Sequence, residues 1–168
     1  MYINDQSGQT LGQIRTQANE LVRKHGQIGA IAIDYLGLMG GLSANNRTND
    51  IGEITKGLKQ MAKELKCPVF ILSQLNRSVE SRNDKRPMMS DLRDSGAIEQ
   101  DADLIIMLYR DEYYKREKSK FKGVAEAILT KQRNGETGTV FLGFQGMFSR
   151  FINLQNYVPY QGPEDDDE

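Results

Sequence analysis

Apolar positions along the chain follow two rhythms in alternation. From Thr10, which is suited to an N-cap, Leu11, Ile14, Ala18, Leu21 and Val22 recur at helical spacing, and the pattern stops at Lys24-His25-Gly26, a cationic end followed by glycine. A continuous apolar run over 29–33 then ends abruptly in Asp34 and predicts a buried strand. Glycines at 37, 40 and 41 and the polar stretch 43–49 predict a loop. Ile51, Ile54, Leu58, Met61, Ala62 and Leu65 mark the apolar stripe of a second helix, closed by Lys66-Cys67-Pro68. A second buried strand, 69–73, ends in Ser73-Gln74. Helix, strand, helix, strand is the order of an α/β fold with a parallel sheet.

Beyond Gln74 the pattern is more broken. Residues 76–88 are dense in Arg, Asn, Asp, Ser and Lys and predict an exposed, mobile loop. The polar turn 90–96 leads through a short helical stretch into a third apolar strand, Leu104 to Tyr109. After a charged loop, 110–122, the runs 124–131 and 139–144 flank Asn134-Gly135-Glu136-Thr137-Gly138 and predict an antiparallel hairpin, and 148–152 predicts a further strand. Residues 156–168 have the composition of a disordered acidic tail. The expected division is therefore one folded domain over 1–155 and a tail over 156–168.

Composition narrows the class. With 168 residues, 38% apolar and 27% charged, the chain matches one globular domain with a core. The net charge of -1 conceals an asymmetry, because the last five residues are all acidic and the rest of the chain carries +4. A mildly basic body permits contact with nucleic-acid phosphates without requiring it. The single cysteine, Cys67, cannot close an intramolecular disulfide and reads as a buried small residue. The one histidine, His25, reads as a solvated helix end. No run approaches the ~18 apolar residues of a membrane span, so the expectation is a cytoplasmic protein.

Two strands delivering Asp34 and Gln74 to one sheet edge are the candidate chemistry, because ligands of open α/β sheets bind at the carboxyl edge. A carboxylate there can hold Mg²⁺ against nucleotide phosphates. A neutral amide can meet a γ-phosphate without repelling it. Strand ends also carry polar residues for no chemical reason, so neither residue decides the matter alone. Arg93, Asp94 and Gly96 form a turn in which a guanidinium and close backbone approach would suit a phosphate chain, or simply a helix entry. Lys131 and Arg133 are spaced to share one face of an extended strand, where two cations repel unless an anion lies between them.

Five segments taken together resemble the bacterial replicative DNA helicases of the DnaB type: Ile33-Asp34-Tyr35-Leu36-Gly37-Leu38-Met39, Ile71-Leu72-Ser73-Gln74-Leu75-Asn76-Arg77, Asp84-Lys85-Arg86-Pro87, 90–103, and Lys131-Gln132-Arg133-Asn134-Gly135. The resemblance runs over about 1–155 and implies the C-terminal part of a RecA-like motor domain, a mostly parallel sheet flanked by helices with a C-terminal antiparallel hairpin. It implies a hexameric ring that couples ATP hydrolysis to translocation on single-stranded DNA, with a helicase loader and primase as partners. By position, Asp34 corresponds to the Mg²⁺-side aspartate and Gln74 to the γ-phosphate-sensing glutamine. Arg93, Asp94 and Gly96 correspond to the DNA-backbone loop, and Lys131 and Arg133 to the pair reaching a neighbouring subunit's phosphates, with Arg133 as arginine finger.

Two departures qualify the resemblance. Gly37 stands where that family usually has glutamine. No phosphate loop of the form G-x-x-x-x-G-K-[ST] is present, so that loop and the water-activating glutamate are expected to precede residue 1. The strand leading into the loop is expected between the Asp34 and Gln74 strands, and its absence to leave a gap closed by strand exchange, by direct pairing or by oligomerisation. The chain by itself is then not expected to hydrolyse ATP. The alternative is a non-catalytic DNA-binding or ring-docking module; a recombinase-type relative would share the sheet logic without sharing both 93–103 and 131–135.

Overall fold

A computed structural model describes residues 1–92 and 95–154 and divides the chain into two compact units. The first comprises 1–79 and 89–102, the second 80–88 and the residues from Asp103 onward.

In the first unit, helix α1 (Leu11–His25) begins with a reciprocal cap: the Gln13 amide N–H donates to Thr10 Oγ1 while the Thr10 amide N–H donates to Gln13 Oε1. It ends where Gly26 turns to φ 81 and donates to the Val22 carbonyl, behind the basic residues Arg23, Lys24 and His25. Helix α2 (Arg47–Leu65) buries Ile51, Ile54, Leu58 and Met61 along one stripe, as the i, i+3/i+4 spacing requires. It starts four residues ahead of the apolar stripe, so 47–49 are helical rather than loop. Lys66 takes the left-handed conformation and ends the helix ahead of Pro68. Cys67 is buried.

Strands β1 (Ile31–Ile33) and β2 (Val69–Ile71) pair in parallel, Ile31 opposite Val69 and Ile33 opposite Ile71. Of the three expected ways of closing a gap between them, direct pairing is the one observed. Their backbones bond to each other directly, the Leu72 amide to the Ile33 carbonyl at 3.0 Å and the Leu36 amide to the Leu72 carbonyl at 2.9 Å. The strands are also not buried on both faces. Ile31, Ile33, Val69 and Ile71 pack on the core of Leu36, Met39, Ile51, Ile54, Leu58 and Met61, whereas Phe70 and Leu72 are exposed. Helix α3 (Ser95–Asp101) is fixed to α2 by a hydrogen bond from Thr55 Oγ1 to Asp101 Oδ2 at 2.6 Å.

The second unit is a four-stranded antiparallel sheet in the order β3 (Leu104–Tyr109), β4 (Val124–Gln132), β5 (Gly138–Gln145), β6 (Arg150–Asn153). The expected hairpin is thus the centre of a larger sheet. The register of β3 against β4 shifts between Ile105 and Ile106, which leaves Thr130 as the extra residue of a bulge. Along β3, Ile105, Met107 and Tyr109 are buried and Leu104, Ile106 and Leu108 exposed.

Two loop expectations are corrected in this unit. Residues 110–122 contain helix α4 (Asp111–Lys115) and a following 3₁₀ turn, 116–118. Residues 76–88 are anchored rather than free. They include a 3₁₀ turn over 77–81, and Pro87 is buried. Arg86 donates from Nε and Nη2 to both carboxylate oxygens of buried Glu126, at 2.8 and 2.7 Å, while its guanidinium lies 4.8 Å from the Tyr109 ring centroid. A two-point bond plus stacking fixes the guanidinium plane as well as its charge. The residues 156–168, expected to be a tail, lie outside the described residues.

Candidate functional site

The parallel register decides where the two leading candidates emerge. Asp34 follows Ile33 at the end of β1, and Ser73 and Gln74 follow Leu72 just past β2. Both side chains therefore leave the sheet at its carboxyl end, the edge on which the sequence places them. Both residues are exposed. Between the strand ends lies a small notch of about 50 Å³, lined by Tyr35, Leu36, Gly37, Arg47, Ser73 and Gln74 among others.

The chemistry of this edge suits a magnesium–phosphate group better than a protein-held metal. Among the described residues no three His, Cys, Asp or Glu side chains gather to bind a metal ion. Mg²⁺ needs no such cage, because it retains water and is held by one or two carboxylates plus substrate phosphates. Asp34 would be that carboxylate. Ser73 and Gln74 beside it are neutral donors that leave an anion unopposed.

Lys131 and Arg133 belong to the second unit. Lys131 lies next to the end of β4, opposite Ile105, but Arg133 is already in the hairpin turn, so strand alternation does not govern its direction. Its backbone N–H donates to the Asp103 carbonyl at 2.9 Å and its Nε lies 3.6 Å from Asp103 Oδ1. The turn thus presents Arg133 from a fixed backbone with its side chain about half exposed. Gly96 lies exposed in α3. Arg93 and Asp94 fall outside the described residues. The loop leading to them is held by a bridge between Leu75 and Leu92 and by the Asn76 amide donating to the Asp91 carbonyl at 2.7 Å.

Sequence reasoning missed the polar network that holds the second unit's loops. Tyr109 Oη donates to Asp111 Oδ1 at 3.0 Å, Ser119 Oγ to Asp111 Oδ2 at 2.8 Å, and Lys115 Nζ lies 3.0 Å from Asp111 Oδ1. Burial alone would raise the Asp111 pKa, but bonds from Lys115, Ser119 and Tyr109 together bring it below the usual carboxylate value. Burial, then the bond to Asp111, pushes the Tyr109 phenol well above its ordinary value. Nor did the sequence point to the Arg86–Glu126 bond, because no periodicity connects residues 40 positions apart.

Residues 1–153 match the family model described as DnaB-like helicase C terminal domain. The chain belongs to this family. It is 56% identical over 155 residues to the replicative DNA helicase DnaB of Pasteurella multocida (strain Pm70), covering 92% of this chain and 33% of that protein. It is 48% identical over 157 residues to the replicative DNA helicase DnaC of Bacillus subtilis (strain 168), covering 92% of this chain and 34% of that protein. The chain therefore spans about a third of the curated relatives it matches.

Solved structures agree with this placement. The ATPase domain of G40P superposes with a TM-score of 0.82 at 47% identity, over 88% of this chain and 52% of that one. A DnaB-like replicative helicase, solved in a study of its interactions with primase, superposes with a TM-score of 0.85 at 47% identity, over 91% of this chain and 37% of that one. The mixed α/β fold expected from the sequence is thus the fold of DnaB-like helicase ATPase domains. No described helix is long and apolar enough to cross a membrane.

Proposed function

We propose that this chain is the part of a replicative helicase motor that carries the Mg²⁺-side aspartate, the phosphate-sensing glutamine, the DNA-gripping loop and the cations offered to a neighbouring subunit. The observation that carries this reading is the shared carboxyl edge of β1 and β2, where Asp34 and Gln74 emerge from adjacent, directly bonded strands. ATP bound there with Mg²⁺ would meet a carboxylate for the metal and an amide for the terminal phosphate. Arg93, Asp94 and Gly96 hold the DNA backbone, a role that positions the strand without reading its sequence. Lys131 and Arg133 act across a subunit interface in a hexameric ring, which also meets primase and a helicase loader.

The division of labour sets the test. Joined to the amino-terminal two-thirds of a relative such as the Bacillus subtilis protein, the chain supports DNA-stimulated ATP hydrolysis and strand separation; by itself it supports neither. Turnover of Mg²⁺-ATP by the isolated chain, abolished by Asp34→Asn, would show that the cradle for the phosphates is not supplied from elsewhere.

A further inference from the structure

The notch at the ends of β1 and β2 contains a residue to which neither motif nor family resemblance drew attention. Arg47 opens α2, is half-buried, and lines the notch together with Tyr35, Gly37, Ser73 and Gln74. A Cβ placed on Gly37 would lie 2.5 Å from Tyr35 Cε2 and 3.3 Å from Arg47 Nη2. The tyrosine ring and the guanidinium are thus drawn up against a bare Cα. Any side chain at position 37 has to push the ring aside and crowd the guanidinium.

The polar residues that line this space carry a guanidinium, a phenol, a hydroxyl and an amide, with no carboxylate among the lining residues. All four can donate hydrogen bonds, and the one formal charge is positive. A volume of about 50 Å³ accommodates a few waters or the oxygens of one phosphoryl group, not a base or a sugar. Arginine's planar fork suits two such oxygens at once. Asp34, the neighbouring carboxylate, is suited to the metal side of the same anion.

We propose that Arg47 binds a phosphoryl oxygen in this notch and that Gly37 is what seats its guanidinium there. The proposal rests on the reading of Asp34 and Gln74 as a nucleotide-facing pair, and extends it by a cation supplied from α2. A nucleotide and a DNA backbone both present the required oxygen, and the experiment separates them.

The purified chain, labelled with ¹⁵N, is titrated with Mg²⁺-ATP and in a second series with a twelve-residue oligothymidylate, while the amides of Gly37, Ser73 and Gln74 are followed. Mg²⁺-ATP shifts these amides. Arg47→Ala, whose retained spectral dispersion shows that it folds, weakens the response about tenfold, the usual scale for one charged hydrogen bond. Gly37→Gln weakens it as well with the arginine still present, a result that simple loss of charge would not produce. A response to oligothymidylate alone that is lost in both variants upholds the proposal with the DNA backbone as the source. A response to Mg²⁺-ATP abolished by Asp34→Asn but indifferent to Arg47→Ala overturns the proposal and leaves the nucleotide reading intact. Sensitivity to Arg47 without sensitivity to Asp34 does the reverse, and silence of these amides toward both probes overturns the Arg47 proposal.

Discussion

The Leu36 amide donates to the Leu72 carbonyl at 2.9 Å, just past the last register pair, Ile33 with Ile71. This bond ties the segment carrying Asp34 to the segment carrying Gln74, so the two backbones are held together just past the strand ends. A site that discriminates phosphate states needs such rigidity, because misplacement by ~1 Å can cost on the order of 10²-fold in rate. If the proposed function holds, Asp34→Asn and Gln74→Ala in a full-length helicase carrying this chain each lower ATP turnover by about 10²- to 10³-fold, the scale for removing one electrostatic contact to a transition state. Both residues are exposed, so urea unfolding of the isolated chain should hardly change. A stability loss matching the loss of activity would mean a structural role.

Arg86 and Glu126 form a two-point ion pair in the second unit, in which the buried carboxylate receives guanidinium bonds at 2.8 and 2.7 Å. The arginine is itself two-fifths exposed, which limits the effect of its removal. Arg86→Ala strands the carboxylate and should cost about 2 to 3 kcal/mol, toward the upper range for a hydrogen bond to a charged group. Glu126→Gln keeps the shape and should cost less. The double replacement Arg86→Met with Glu126→Leu should restore most of the stability, since no charge is then left buried. Urea midpoints of the four proteins rank these costs.

The Tyr109–Asp111 bond links stability to pH from both sides. The Asp111 pKa is lowered on folding, so its contribution is complete above the ordinary carboxylate range near ~4 and is lost as pH falls through the lowered value. The Tyr109 pKa is raised, so its contribution is complete below the ordinary phenol value near ~10 and declines as pH climbs above it. Thermal unfolding should therefore weaken at both extremes. Tyr109→Phe should flatten the alkaline limb above ~10, and Asp111→Asn should flatten the acid limb. Unchanged limbs in both variants would remove this pair from the account.

How much of this was legible in the sequence depends on the range of the interaction. The stripe of α2 and the cap of α1 are local, since Ile51 to Met61 and Thr10 to Gln13 carry their partners within one or two turns. The pairing of β1 with β2 was not local: the sequence left direct pairing as one of three alternatives, and the backbone bonds select it. Phe70 and Leu72 read as core because they are apolar, yet both are exposed, for a hydrophobic run does not say how many of its faces are covered. The segment 76–88 read as mobile because it is polar. Its fixing agent, Glu126, lies on a strand whose apolar neighbours conceal a carboxylate that only tertiary structure can pair.

Arg93 tests the DNA side of the proposal separately. A contact to the phosphate backbone contributes equally to every sequence, and its removal should lower the slope of log affinity against log salt by about one. Arg93→Ala in the full-length protein is therefore expected to weaken single-stranded DNA binding alike for purine and pyrimidine oligomers. Fluorescence anisotropy across a salt series measures both quantities. A base-dependent loss would point to contacts with the bases instead.

Arg133 has a partner within its own chain, and that partner separates a structural from an intersubunit role. The Arg133 Nε lies 3.6 Å from Asp103 Oδ1, with both side chains about half exposed, so the pair is worth at most ~1 kcal/mol. Asp103→Asn should accordingly leave stability within about 0.5 kcal/mol and ATP turnover nearly unchanged in the assembled helicase. If Arg133 reaches a neighbour's nucleotide, Arg133→Ala should reduce turnover by ~10³-fold or more while stability shifts no further than in Asp103→Asn. Mixing wild-type and Arg133→Ala subunits gives the decisive comparison. An arginine acting across the interface makes turnover fall with the fraction of mixed interfaces, and adding Asp34→Asn subunits to Arg133→Ala subunits leaves some interfaces with both groups intact. If turnover instead depended only on the total of intact subunits, with no recovery in that mixture, the arginine would be serving its own subunit through Asp103 and the hairpin turn.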